Sequence, residues 1–334
     1  MSRETQLWYW FVFQSGLPTL RAKELLLNRL DEGRTLEEVM DALPHDAARL
    51  GLSAREARAL RPPETLPRVV ALRWNEAAYP RGLHRLPLKL RPALLFAEGS
   101  TALLERPIVY LPPASIAAEE RETVREVLSL LLGESLLPAA VHGSDQAALL
   151  VEEMAYAEGE TLLFVRAGVD AVELREGERT LLAQERLLLI SPLPPGASYK
   201  PEWDVVLQEV EAATARRFLL TGIRPTVPRF LADHAELPAL WFHPGAGRAS
   251  VPGHVEHAGD VAAALLWLSG DKAGSDTSTA ASASLASMAA RPLGAEPPAD
   301  PPPTPEETLR ILQQGGAVPP VLRRRLLGDQ EDDA

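Results

Sequence analysis

The pattern of apolar and polar positions divides the chain at about residue 66 into a helical beginning and a longer region where strands and helices alternate. Most apolar runs in the longer region are apolar throughout, without a polar residue at every second position. Such runs are typical of parallel strands that are covered on both faces. The predicted strands are residues 69–74, 93–97, 107–111, 137–141, 161–165, 187–191, 218–222 and 239–243.

Helical stretches separate most of these strands. Apolar residues recur at helical spacing over residues 117–132, 145–157, 203–217, 227–232 and 260–268. Strands that alternate with helices in this way form a doubly wound, Rossmann-like parallel sheet. We therefore predict an α/β protein whose main domain spans residues 66–270.

Residues 1–65 predict a small helical domain of the SAM or helix-hairpin-helix type. Leucines between positions 20 and 30 give one helix a broad apolar face. The tetrapeptides T-L-E-E from Thr35 and S-A-R-E from Ser53 are capping boxes that start two more helices. Two prolines after Arg61 end this domain, because proline breaks a helix and restricts the residue before it.

The composition changes after Ser269. Residues 271–303 are rich in Ala, Ser and Pro and contain no aromatic residue. Such a segment cannot bury enough apolar surface to offset its chain entropy, so it predicts a disordered linker. Thr304 and Pro305, followed by two glutamates, then predict the start of a short helix in a tail formed by residues 304–334.

Composition and motifs exclude several classes of function. The 334 residues contain no cysteine, which excludes disulfides, zinc–thiolate sites, iron–sulfur clusters and cysteine nucleophiles, and which fits a cytoplasmic location. There is no P-loop, G-x-S-x-G or H-E-x-x-H motif. No apolar run approaches the ~18 residues of a membrane helix. We therefore expect no enzymatic activity, cofactor, metal or membrane contact.

The charge is distributed unevenly. The chain carries a net charge of −12, with +3 in residues 1–100, −11 in residues 101–270 and −4 in the remainder. A polyanion would be repelled by the middle region. Any contact with nucleic acid must therefore come from local groups of cations.

Two predicted strand ends form the first candidate site. His142, Gly143, Ser144 and Asp145 follow strand 137–141, with Asp145 as the expected N-cap of the next helix, while Arg166, Gly168 and Asp170 follow strand 161–165. In an open α/β sheet such loops lie at the carboxyl edge, where ligands bind and helix N-termini attract anions. A capped helix after a glycine turn explains Gly143 and Asp145 alone, whereas His142 could also contact phosphate.

A basic run precedes the main sheet and forms the second candidate site. Arg81, Arg85, Lys89 and Arg91, with His84 among them, could contact a phosphate backbone. The same residues could equally be the solvated surface of a slightly basic subdomain.

Two weaker patterns carry less information. The segment G-A-G-R-A-S at 245–250 lacks the third glycine of a dinucleotide-binding loop. His254, His257 and Asp260 recur at three-residue spacing, but Pro252-Gly253 predicts a loop up to Gly259, so we predict no metal site there.

Several short motifs follow one another in a characteristic order. They are Glu76, Tyr79-Pro80, Leu83, Pro92, Leu95-Phe96 and Gly99, then A-A-V-H-G-S-D with Gly143 and Asp145, R-A-G-V-D with Gly168 and Asp170, and finally Pro244-Gly245. This order, over roughly residues 5–250, resembles the DNA-processing protein A family (DprA, also called Smf).

The chain departs from this family at the motifs whose side chains would face nucleic acid or phosphate. Leu111-Pro112-Pro113 replaces a Gly-Ser-Arg, Ser191-Pro192 replaces a Ser-Glu, and His142 stands where an arginine is expected. An Arg-Asn-Arg helix start has no counterpart, since no arginine lies between Arg186 and Arg216. The resemblance therefore implies a divergent member with weakened or altered DNA contacts.

The resemblance implies a homodimeric, cytoplasmic single-stranded DNA-binding protein without catalytic function. Such a protein acts in competence, that is, in DNA uptake during natural transformation, and in recombination, where it delivers DNA to a RecA-type recombinase. Two alternatives stay open. One is a Rossmann-like sensor that binds a nucleotide-type ligand in the crevice at Gly143 and Gly168, and the other is a scaffold paralogue that pairs only with another subunit.

Overall fold

The computed structural model describes residues 2–30, 35–38, 40–41, 52–53, 57, 60, 62–66, 68–132, 136–222, 227–243 and 252–269. The predicted linker and tail helix lie outside these residues, as do most of the predicted helices after Thr35 and Ser53. In this part of the chain, no helix is long and apolar enough to cross a membrane.

One sheet of nine strands organises the described residues. The strands are β1 (Ala71–Arg73), β2 (Leu94–Gly99), β3 (Ile108–Leu111), β4 (Leu137–Val141), β5 (Thr161–Phe164), β6 (Leu187–Ser191), β7 (Arg217–Thr221), β8 (Ala239–Phe242) and β9 (Glu256–Ala258). Their order is β1-β2-β6-β5-β4-β3-β7-β8-β9. Strands β3 to β9 pair in parallel, and β1 and β2 extend one edge antiparallel.

This order confirms the doubly wound α/β fold. From β3 the chain winds outward through β4, β5 and β6, and it then returns to the other side of β3 to form β7, β8 and β9. The direction of winding changes between β3 and β7, which is the topological switch point where open α/β sheets commonly bind ligands. The antiparallel pairing of β2 with β6 was not predicted, because a buried antiparallel strand can be as apolar as a parallel one.

The helices are α1 (Arg3–Phe13), α2 (Thr19–Leu30), α3 (Arg121–Leu132), α4 (Asp145–Tyr156), α5 (Glu176–Ala183), α6 (Asp204–Thr214), α7 (Arg229–Asp233) and α8 (Val261–Ser269). Helices α1 and α5 and strand β9 were not predicted from the sequence. The loop predicted up to Gly259 is wrong, because Glu256–Ala258 pairs in parallel with β8. A strand of three residues is too short to show a periodicity. His257 therefore lies in a strand, 4.8 Å from the ring of Trp241, whereas Asp260 accepts the N–H of Ala263 in α8.

Apolar side chains project from both faces of the sheet and are buried there, which explains why the strand sequences are apolar throughout. Tyr110 and Phe164 lie on the face covered by α1 and α6, and their rings pack at 5.3 Å. Val109 and Leu111 lie on the other face, which is covered by α3, α4, α5 and α8. The aromatic N-terminus forms α1 and packs on the first of these faces.

The motif residues that resemble the DprA family before β2 have structural roles. The hydroxyl of Tyr79 is buried and donates to the carbonyl of Pro92 at 2.7 Å, and Leu83 is fully buried. Glu76 accepts from the guanidinium of Arg73 at 2.6 Å. These contacts hold the segment between β1 and β2 in one conformation.

Helix α2 buries a lysine that has no carboxylate partner among the residues that the structure describes. The side chain of Lys23 is 9% exposed, and its Nζ donates to the carbonyl of Lys89 at 3.4 Å. Burial, with a smaller contribution from the charge of Arg91, lowers the pKa of Lys23 from 10.5 to about 8. The charged form is therefore disfavoured in the folded state.

Replacement of Lys23 by methionine should stabilise the protein. The lowered pKa sets an upper limit of about 3 kcal/mol on the cost of the buried charge at pH 7, and we expect a gain of about 1–2 kcal/mol after loss of the hydrogen bond. The wild type should gain stability as pH rises from about 8 towards 10.5, because only the unfolded chain still holds the proton in that range. The variant should lack this gain. Urea unfolding at pH 7 and pH 10 measures both effects, with exposed Lys89→Met as a control that stays within about 0.5 kcal/mol of wild type.

Candidate functional site

The turn between β4 and α4 has the geometry of a helix start. Gly143 has a φ of +83°, a conformation that side-chain-bearing residues rarely adopt. The N-cap is Ser144, whose hydroxyl accepts the N–H of Ala147 at 3.1 Å. The prediction that Asp145 caps the helix is wrong by one residue, because the extended backbone at Ser144 already places a short acceptor over the first turn. Asp145 is the first helical residue, and its carboxylate lies 3.5 Å from the N–H of Ile116.

His142 contacts a buried carboxylate. Its Nε2 lies 3.3 Å from Oε2 of Glu178 in α5, and that oxygen also accepts the backbone N–H of Arg175 at 2.7 Å. Burial by itself raises the pKa of Glu178, but the hydrogen bonds from His142 and Arg175 outweigh it and lower the pKa overall. The imidazole therefore faces a carboxylate that stays ionised, and it is not a free contact for phosphate.

Arg166 is held by two acidic side chains. Its guanidinium donates to both carboxylate oxygens of Glu211 at 2.7 and 2.8 Å and to Asp204 at 2.7 Å. The hydroxyl of Tyr110 donates to the same Glu211 at 2.7 Å, and burial followed by this carboxylate raises the pKa of Tyr110 well above its ordinary value. Burial alone would lower the pKa of Arg166, but Glu211 and Asp204 raise it. This bidentate pair neutralises Arg166 at the position where a DNA contact was predicted.

Gly168 and Asp170 join two loops at the carboxyl edge. Asp170 accepts the backbone N–H of Gly196 at 2.8 Å. A Cβ on Gly168 would lie 2.8 Å from the N of Gly196 and from the carbonyl oxygen of Pro194. The loop after β5 therefore packs tightly against the loop after β6, and these two residues serve that packing.

The two predicted cations of the carboxyl edge do not converge on one crevice. Side chains alternate along each strand, so His142 points to the face of α5 and Arg166 points to the face of α6. Their acidic partners, Glu178 and Glu211, lie on those two helices. Each of the two side chains thus contacts a carboxylate on a different face of the sheet.

Gln146 lies at the topological switch point between β3 and β7, and the sequence did not single it out as a site residue. It is fully buried, and its Nε2 lies within hydrogen-bond distance of the carbonyl of Ala114 and the hydroxyl of Thr221, at 2.9 and 3.2 Å. It therefore bridges the loop after β3 to the end of β7. Its Oε1 has no hydrogen-bond partner among the described residues. The signal for it in the sequence is an amide side chain in the first turn of α4, just before the apolar run from Ala147 to Val151.

The basic run lies at the opposite edge of the sheet. Arg81 and Arg85 line a groove of about 940 Å³ that is also lined by Ile108 and Arg217, the first residues of β3 and β7. The groove therefore opens at the amino ends of the parallel strands. Lys89 is exposed outside it.

Arg91, the last of the basic run, has a structural role. Its guanidinium donates to the carbonyls of His84 and Leu86 at 2.7 and 3.1 Å, so that it supports the loop from within. The structure brings Arg81 and Arg85 together in the groove and separates both from His142 and Arg166.

Three arginines that the sequence analysis did not select complete the groove. Arg106 precedes β3, and the Arg216-Arg217 pair leads into β7. A signal was present in the sequence, because a residue immediately before a parallel strand lies at the amino edge of the sheet.

The fold defines a doubly wound, Rossmann-like α/β protein with an antiparallel pair of strands at one edge. Among solved structures, the chain is similar to DNA processing protein A (DprA) of Streptococcus pneumoniae, with a TM-score of 0.57 and 14% sequence identity over 78% of this chain and 96% of that one. The particular fold of this chain is thus the DprA fold, which confirms the resemblance at the level of structure.

The DprA of Helicobacter pylori, whose structure concerns its single-stranded DNA binding mode, is also similar, with a TM-score of 0.48 and 11% identity over 61% of this chain and 97% of that one. No family model and no curated protein sequence matches the chain.

Proposed function

We propose that this protein is a DprA-like single-stranded DNA-binding protein that acts in DNA uptake and recombination and delivers DNA to a RecA-type recombinase. The observation that carries the proposal is the DprA fold, which extends over 96% of the S. pneumoniae chain. The ordered motifs from Glu76 to Pro244-Gly245 support it. Binding rather than catalysis is the proposed activity, because the sequence offers no nucleophile–base signature.

The charge distribution predicts weak binding that depends moderately on salt. Residues 101–270 carry a net charge of −11 and repel a polyanion, so that only local arginines contribute. Two or three phosphate contacts on a single strand correspond to a slope of about −1.4 to −2 in log affinity against log salt. Titration of labelled oligo-dT by fluorescence anisotropy, at salt concentrations from 30 to 300 mM, measures this slope.

A duplex of equal length is the control for this titration, and it should bind more weakly than the single strand. Absence of oligo-dT binding at the lowest salt concentration would refute the proposal, and equal affinity for the duplex would refute its single-strand selectivity.

The contacts at the carboxyl edge favour a second candidate, the scaffold paralogue that pairs only with another subunit. His142 faces Glu178 and Arg166 faces Glu211, so the predicted DNA contacts there are occupied by acidic side chains. Light scattering together with the same oligo-dT titration separates the candidates. A dimer that binds no DNA supports the scaffold, and a dimer that binds DNA supports the first proposal.

A further inference from the structure

We propose that the groove at the amino edge of the sheet binds the phosphodiester backbone of a single nucleic-acid strand. This inference rests on the proposed function, and it places the contact at the edge opposite the carboxyl crevice.

The groove concentrates positive charge in a chain with a net charge of −12. It has a volume of about 940 Å³, and its charged lining residues are five arginines and one glutamate: Arg81, Arg85, Arg106, Arg216, Arg217 and Glu105. The arginines come from three separate places in the sequence, namely the segment before β2, the residue before the Pro107–Ile108 entry to β3, and the entry to β7. The fold thus assembles a basic site inside an acidic protein.

Two of the arginines are free to bind a ligand. Arg81 and Arg216 are exposed, and neither side chain has a hydrogen-bond or ion-pair partner among the residues that the structure describes. Arg85 lies 3.3 Å from Glu236, with the two side chains 46% and 60% exposed. An ion pair this exposed contributes little stability, so a phosphate can compete for Arg85.

The other two arginines support the wall of the groove. Arg106 is paired with Glu160 and donates to the carbonyl of Leu136. Arg217 is buried, donates to the carbonyl of Leu268 at 3.1 Å and lies 5.5 Å from the ring of Trp267. Their positive charges contribute to the potential in the groove, but their guanidinium groups already donate hydrogen bonds to other parts of the protein.

Negative groups offset part of this potential. Glu105 lines the groove, and the carboxyl ends of α6 and α8 meet it at Thr214 and Leu268. Each helix end is equivalent to about half a negative charge. Counted with Glu160 and Glu236, these groups leave a small positive excess. The number of phosphate contacts, two or three, is therefore set by the available arginines, which are Arg81, Arg216 and Arg85.

The lining also predicts how the strand is recognised. The one aromatic residue among the groove's described lining residues is Tyr79, which is buried and donates to Pro92. Bases therefore have no exposed ring on which to stack, and the contacts are to phosphate alone. Oligo-dT and oligo-dA of equal length should bind with similar affinity.

A pair of double variants tests the groove. Arg81→Ala with Arg216→Ala removes two phosphate contacts, which should reduce the salt slope by about 1.4 and lower oligo-dT affinity about 25-fold at 0.1 M salt. The matched control is Arg175→Ala with Arg179→Ala, which removes the same charge from exposed positions around α5, beside His142. Affinity and slope of this control should stay at wild-type values.

Three outcomes would overturn the inference. Equal losses of oligo-dT affinity in both double variants would indicate a general charge effect. If the groove variant bound oligo-dT with wild-type affinity, the groove would not be the binding site, and the proposed function would still stand. Absence of binding by the wild type itself would refute the proposed function and the inference together. Unfolding measurements establish that each variant is folded. If the groove variant is not, Arg216→Glu alone makes the same change in net charge and carries the test.

Discussion

Replacement of Arg166 by methionine is expected to lower the free energy of unfolding by about 3–5 kcal/mol. Arg166 donates to Glu211 and Asp204, and the side chain of Glu211 is only 4% exposed. Without the guanidinium, the Glu211 carboxylate keeps Tyr110 as its one hydrogen-bond donor among the described residues, in a nearly dry environment. An unpaired buried charge costs several kcal/mol, whereas the methionine itself packs well.

A second substitution separates the buried charge from lost packing. Glu211→Gln in the Arg166→Met background removes the charge that the first change leaves uncompensated, and it should restore part of the lost stability. Urea unfolding of the two single variants and the double variant completes a thermodynamic cycle, in which we expect a coupling energy above about 1 kcal/mol. A loss below about 1 kcal/mol for Arg166→Met would indicate that Arg166 is available for a ligand.

The second large effect is expected at Gly82, where alanine should cost about 3 kcal/mol or more. A Cβ at this position would lie 1.9 Å from the carbonyl oxygen of Ala213, in the last turn of α6. The carbonyl belongs to the backbone and the backbone also fixes the position of a Cβ, so no change of rotamer relieves the overlap. The segment that carries Arg81 and Arg85 would have to move away from α6, and affinity for oligo-dT should fall with stability.

Gly143→Ala is the control for Gly82→Ala. Gly143 has a positive φ, but among the described residues, its two chain neighbours aside, no heavy atom lies within 4 Å of the Cβ position. Only backbone strain is expected there, at a cost of about 1–2 kcal/mol. Thermal unfolding compares the two variants. Equal losses would show that the close approach of residue 82 to α6 is not what constrains this segment.

Local signals in the sequence predicted the helix starts and strands that depend on neighbouring residues alone. The capping box at Thr35 forms as expected, since the hydroxyl accepts the N–H of Glu38 at 3.2 Å and Glu38 accepts the N–H of Thr35 at 2.8 Å. The apolar runs became β3 to β8 with ends within one or two residues, because burial on both faces requires apolar side chains at every position.

The candidate site was only partly predictable, since its chemistry depends on pairs far apart in the sequence. Arg166 meets Glu211 across 45 residues, and His142 meets Glu178 across 36. Each residue taken alone is a plausible phosphate contact. Because α5 and α6 pack onto opposite faces of the sheet, they place a carboxylate beside both His142 and Arg166. Neither side chain is then freely exposed to solvent.

The sequence by itself determined the α/β class, the parallel core of the sheet, the capping box at Thr35 and the likeness to the DprA family, because each follows from periodicity or from residues near one another in the chain. Only the tertiary structure decided which cations are free. Arg81 and Arg216 lie 135 positions apart and come together only when the segment before β2 packs against the end of α6, beside the entry to β7. The physical reason is that charge acts through space, so its effect depends on contacts between distant segments.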